Sequence, residues 1–198
     1  MGYSLSWLAV RGKVKADVDR ALGMTDTGIA STEDDYPPPT VRGAALPNGW
    51  YLVLLDDVVH RLIKSRAVTD RLSRGCEVVG CQVEEHAMYS ACFGWRDGKL
   101  VWSVVHDARK AGDHLGGWGE LPAALDEIEA RTLKRQEEER QHQRSVEVDY
   151  VFDIPIELAA SFCGYRHDTR ADWGEPAFTV LAENKAERRG EMGREEAQ

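Results

Sequence analysis

Polar and apolar residues alternate over Ser4-Leu5-Ser6-Trp7 and then run continuously apolar through Leu8-Ala9-Val10, which predicts a strand buried on at least one face. After Gly12, the residues Val14, Val18, Ala21 and Leu22 recur at helical spacing, and Gly23 stands where a C-terminal cap belongs. Thr25 to Thr40 holds Ser31, Thr32, the acids Glu33 to Asp35 and the prolines Pro37, Pro38 and Pro39, so the pattern predicts a surface loop. Pro47-Asn48-Gly49 marks a turn, and the uninterrupted apolar run from Trp50 to Leu55 predicts a strand buried on both faces in the middle of a sheet. Val58, Val59, Leu62, Ile63, Val68 and Leu72 then follow the spacing of one helix or two short ones, with Asp56 or Asp57 as N-cap and Gly75 as the end.

Between Cys76 and His106, β-rich runs are broken only at Glu84-Glu85-His86 and at Arg96-Asp97-Gly98-Lys99. Asp-Gly is the strongest short signal for a two-residue type I′ hairpin. With Asp97 and Gly98 as the loop, Trp95 faces Leu100, Phe93 faces Trp102, Ala91 faces Val104 and Tyr89 faces His106, and all eight share one face. That face, rich in Tyr89, Phe93, Trp95 and Trp102, is expected to lie under helices; a platform for stacking a ligand is the alternative.

Ala111 to Gly119 is glycine-rich and predicts a turn or an edge strand carrying His114 and Trp118. A helix follows from Pro122, with Leu121, Leu125, Ile128 and Leu133 as a narrow apolar stripe, and beyond Lys134 it is wholly polar. Val146 to Phe152 alternates like a strand, Pro155 to Phe162 predicts a helix closed by Gly164, Asp168 to Pro176 is loop, and Phe178 to Leu181 is a last short strand. The expected class is α+β: an antiparallel or mixed sheet with helices mainly on one face, in one domain over 1–182, followed by a charged tail over 183–198 too poor in apolar residues to order itself.

Composition narrows the function classes. With 42% apolar and 30% charged residues in 198, the chain can bury a sizeable core. The longest apolar stretch, Gly49 to Leu55, is far short of the roughly 20 residues a membrane span needs, and no secretory pattern opens the sequence, so the expected compartment is the cytoplasm. Met1-Gly2-Tyr3-Ser4-Leu5-Ser6 fits the permissive N-myristoylation pattern, but Ser4 to Val10 reads better as a strand. Cys76, Cys81, Cys92 and Cys163 have neither zinc-site spacing nor disulfide density and are expected as free core thiols. The net charge is −9, and after Ser145 twelve acids stand against six bases. Such a surface disfavours nucleic acid and suits either a basic protein partner or simple solubility.

Two functional readings follow. One is a non-enzymatic, acidic protein-binding module, of the immunity-like kind that neutralises a toxin, docking through Glu84, Glu85, Asp107 and Asp113, with a protein partner and no cofactor. The other is a metal-dependent hydrolase acting at His86, His106, Asp107 and His114, imidazole and carboxylate groups near one another in sequence, of which His86, His106 and Asp107 are expected to converge at the sheet end opposite the Asp97-Gly98 turn. His106-Asp107 and His167-Asp168 resemble the metal-binding dipeptide of the HD phosphohydrolases, although that dipeptide belongs to a helical domain and His106 ends a strand. No G-x-S-x-G elbow, phosphate loop or dinucleotide fingerprint is present. Gly116-Gly117-Trp118-Gly119 follows no strong strand and reads as a tight turn, and Tyr165-Arg166-His167-Asp168 is a polar cluster on a loop that either carries function or fixes the C-terminal segment.

Overall fold

A computed structural model of the chain describes residues 2–32, 35–142 and 149–184. Among them run the strands β1 (Ser4–Arg11), β2 (Met24–Ser31), β3 (Val41–Ala45), β4 (Trp50–Leu55), β5 (Glu77–Glu84), β6 (Tyr89–Arg96), β7 (Lys99–Asp107), β8 (Leu115–Gly119) and β9 (Phe178–Glu183). The helices are α1 (Lys15–Leu22), α2 (Arg61–Lys64), α3 (Arg66–Leu72), α4 (Ala124–His142) and α5 (Asp153–Cys163). All nine strands join one sheet in the order β2-β9-β3-β4-β1-β5-β6-β7-β8, every pair antiparallel. The class is α+β with an antiparallel sheet.

The central strands dictate the layering. β1 sends Trp7 and Ala9 to one face and Leu8 and Val10 to the other, and β4 is buried at all six positions. A strand apolar on both sides has to be covered twice. On one face α5 buries Ile154, Ile156 and Leu158, backed by Leu125 and Ile128 of α4. On the other, Val18 and Leu22 of α1, Leu62 and Ile63 of α2 and Leu72 of α3 form a second core with Val53, Leu55 and Val78. Helices mainly on one face, as the element order suggested, is therefore corrected: the sheet lies between two helical layers.

The Asp97-Gly98 turn forms with both residues at positive φ, 50° and 77°, as a type I′ turn requires. Trp95 pairs with Leu100 as expected, but a bulge at Val101 then shifts the register, so that Gly94 faces Trp102, Phe93 faces Ser103, Ala91 faces Val105, Ser90 faces His106 and Tyr89 faces Asp107. Trp102 thereby moves to the α5 face, where its indole lies over Gly94 and stacks on Phe162 at 5.6 Å, while Trp95 on the opposite face lies over Gly80. The single aromatic face is corrected into two.

Other differences are local. Met24 to Ser31, expected as loop from Thr25 onward, is an edge strand with an irregularity between Asp26 and Ala30, and β3 was not anticipated. The helical stretch after β4 begins at His60 and Ser65 rather than at Asp56 or Asp57: His60 Nδ1 accepts from Leu62 N and Ser65 Oγ from Val68 N. The strand expected over Val146 to Phe152 falls partly outside the described residues, and within them Val151 and Phe152 turn into α5. Of the expected tail, Glu183 closes β9 and 185–198 lie outside the described residues.

Candidate functional site

The hairpin carries His106 to the end of β7, but the register shift turns it inward. Its ring is fully buried, edge-on to Phe152, with Nδ1 2.8 Å from the carbonyl oxygen of His114 and Nε2 3.0 Å from Asp149 Oδ2. A carbonyl only accepts, so Nδ1 is the donor in that contact, whereas Nε2, although close to Asp149, makes no hydrogen bond among the described residues. Nδ1 thus fastens the 107–114 turn onto β7, and Nε2 lies beside the segment before α5. His114 Nδ1 in turn accepts the Asp107 backbone N–H at 3.2 Å. His86 is exposed on a single 3₁₀ turn, Glu85–Ala87. Among the described residues, no three His, Cys, Asp or Glu side chains are grouped so as to hold a metal ion.

Three of the four acids named from the sequence have internal partners. Asp107 receives Arg109 Nε and Nη2 at 2.8 and 3.0 Å, and those hydrogen bonds hold its carboxyl below the usual carboxylate range. Glu84 accepts from Ser4 Oγ and His86 N, and Glu85 accepts the Tyr3 N–H. Asp113 is exposed. Glu84, Tyr89 and Asp107 stand directly opposite one another across β5, β6 and β7, at the end away from the Asp97-Gly98 turn.

The loop cluster after α5 is largely a fastening. Arg166 reaches Asp153 at 2.8 Å, Glu157 at 3.7 Å and Asp168 at 2.6 Å, tying the loop to α5. His167 is buried between the rings of Tyr3 and Trp7, with Nε2 3.8 Å from Glu85 Oε1 and neither ring nitrogen hydrogen-bonded. Burial pushes its pKa below the ordinary value. All four cysteines are buried and free, and burial pushes the thiols of Cys81 and Cys92 well up and that of Cys163 to about 11, so they serve as small apolar groups.

The feature with room for a partner lies on the α2–α3 face. Ile63 of α2 sits against Gly80 of β5, and beyond it the β6–β8 end of this face opens into a groove of about 570 Å³. Phe93, Ser103 and Trp118 stand in one row across β6, β7 and β8, so that a small side chain separates two aromatic ones. Phe93, Trp95, Leu100 and Trp118 make the apolar lining, and Trp118 is 58% exposed. Lys64, Arg66 and Lys99 stand on the rim. Arg66 is 3.4 Å from Asp70, whereas Lys64 and Lys99 enter no ion pair among the described residues. Such a groove desolvates an apolar side chain and pairs an anion beside it.

Sequence reasoning had Phe93, Trp95 and Leu100 on one face and saw stacking as an alternative role for it; it missed Lys64, Arg66 and Lys99, which only tertiary packing brings alongside. No family model, curated protein or solved structure matches the chain.

Proposed function

We propose that the chain is a non-enzymatic protein-binding module that docks its partner through the groove lined by Phe93, Trp95, Leu100 and Trp118, rather than through Glu84, Glu85, Asp107 and Asp113. The observation that carries this reading is Trp118: a tryptophan 58% exposed, on an edge strand, lining an aromatic groove. Exposed tryptophan next to other apolar surface is the composition of binding hot spots, and leaving it in water is unfavourable unless something covers it. The groove also runs sideways onto β8, the last strand of the sheet, as suits a polypeptide more than an enclosed small molecule. The acids are less suited to docking, since Glu84, Glu85 and Asp107 already satisfy internal donors. The reading built on metal at His86, His106, Asp107 and His114 has no comparable observation behind it.

The test is capture of the partner from cells by the tagged chain, its Trp118→Ala/Lys99→Glu variant and its Glu84→Lys/Asp113→Lys variant. The groove variant should lose the retained protein and the acid variant keep it. The opposite pattern would return docking to the acids.

A further inference from the structure

Among the described residues β8 ends the sheet, and its outer edge lacks protections that the other edge has. β2, at the far end, is interrupted by its irregularity between Asp26 and Ala30 and carries a charge at Asp26; β8 is Leu-Gly-Gly-Trp-Gly, with no charge, proline or bulge. Irregularity and charge are the usual protections of a strand edge, and an edge lacking them invites another strand. The direction of the free groups follows from the ladder. Glu120 N donates to Val101 O at 3.0 Å, so the hydrogen-bonded pairs of β7 and β8 continue as Ser103 with Trp118 and Val105 with Gly116. The N–H and C=O of Leu115 and Gly117 therefore point away from the sheet. Leu115 is half-buried and Gly117 exposed.

Trp118 projects onto the groove face of the same strand, and the groove rim there is basic, with Lys64, Arg66 and Lys99, in a protein whose net charge is −9. We infer that the partner segment is an extended, acidic peptide that adds to β8 as a further strand, pairing with Leu115 and Gly117. Alternate side chains of that segment enter the groove, one packing on Trp118 and acidic ones facing Lys99, Lys64 and Arg66. This rests on the groove being the docking site and adds the mode and the charge of what docks.

The probe is a displayed library of random linear peptides selected against the full chain, with the best binder then synthesised in two forms, N-methylated at one or the other set of alternate residues. Enriched peptides should be acidic with alternating apolar residues. One N-methylated form should lose affinity at least about tenfold, because its amides pair with β8, while the other binds like the parent. Trp118→Ala and Lys99→Glu should each weaken the parent peptide. Groove-dependent peptides indifferent to both methylation patterns would overturn strand addition and leave the groove standing. Basic consensus peptides, or no enrichment over Trp118→Ala, would overturn both. Sedimentation showing a dimer lost on Trp118→Ala would give the edge to a second copy instead and overturn the acidic-peptide occupant.

Discussion

His167 is enclosed by Tyr3 and Trp7, faces Glu85 only at 3.8 Å, and has no hydrogen bond at either nitrogen. A buried imidazole so placed favours its neutral form, and burial accordingly depresses its pKa from the ordinary 6.5. The unfolded chain then binds more protons than the folded chain as pH falls through 6.5. Stability from this group is thus fully present above that value and is lost as pH descends toward the folded-state value. His60, also depressed by burial, and Asp26, Asp107 and Asp168, whose carboxyls are held low by hydrogen bonds and ion pairs, lose stability in the same direction. The contribution of His167 is isolated by comparison with His167→Leu, which gives up no hydrogen bond. Between about pH 7.5 and about pH 5 the urea midpoint of the wild type should fall further than that of the variant. Parallel curves would show that His167 takes up its proton equally well in both states.

The hairpin shows what an element reveals locally and what it does not. Asp97-Gly98 specifies its own turn, because Gly tolerates positive φ without cost and Asp with little, and Trp95 opposite Leu100 follows directly. The bulge at Val101 has no comparable signature, yet it reverses the facing of every residue after it, taking Trp102 and His106 into the α5 core and leaving Phe93 beside Ser103 in the groove. Its physical basis is the pairing of a large residue with glycine across β6 and β7: a methyl at Gly94 would lie 2.2 Å from the Trp102 indole. Gly94→Ala should therefore cost about 1–3 kcal/mol through overpacking, read as a lowered urea midpoint with unchanged slope. An unchanged midpoint would show that Trp102 does not lie over this position. The continuous apolar run of Trp50 to Leu55 told more than the element order, since a strand buried on both faces already implies two covering layers. β2 was illegible because most of its residues are exposed and its partner, β9, lies some 150 positions later, so nothing local marks it as a strand. The groove shared that fate: Phe93 and Trp95 were visible on one face, whereas the lysines and arginine of its rim come from α2, α3 and the turn end of the hairpin and meet only in the folded sheet.

At the scale of the whole molecule, an acidic chain places its basic groove and its bare strand edge at the same end of a nine-stranded sheet. The opposite end is closed off by an irregular, charged strand. Electrostatic steering by Lys64, Arg66 and Lys99 would act at short range, because the surrounding net charge is of the other sign and physiological salt screens beyond about 8 Å. In the proposed complex, affinity would depend on the apolar contact at Trp118 and Leu100 more than on the charges. The most direct test of this account is hydroxyl-radical footprinting of the unmutated chain with and without its captured partner. Oxidation of Trp118 and Leu100 should fall in the complex while Tyr36, 96% exposed on a distant loop, is oxidised as before. Trp118 and Leu100 equally oxidised in the bound chain, with protection elsewhere, would contradict it.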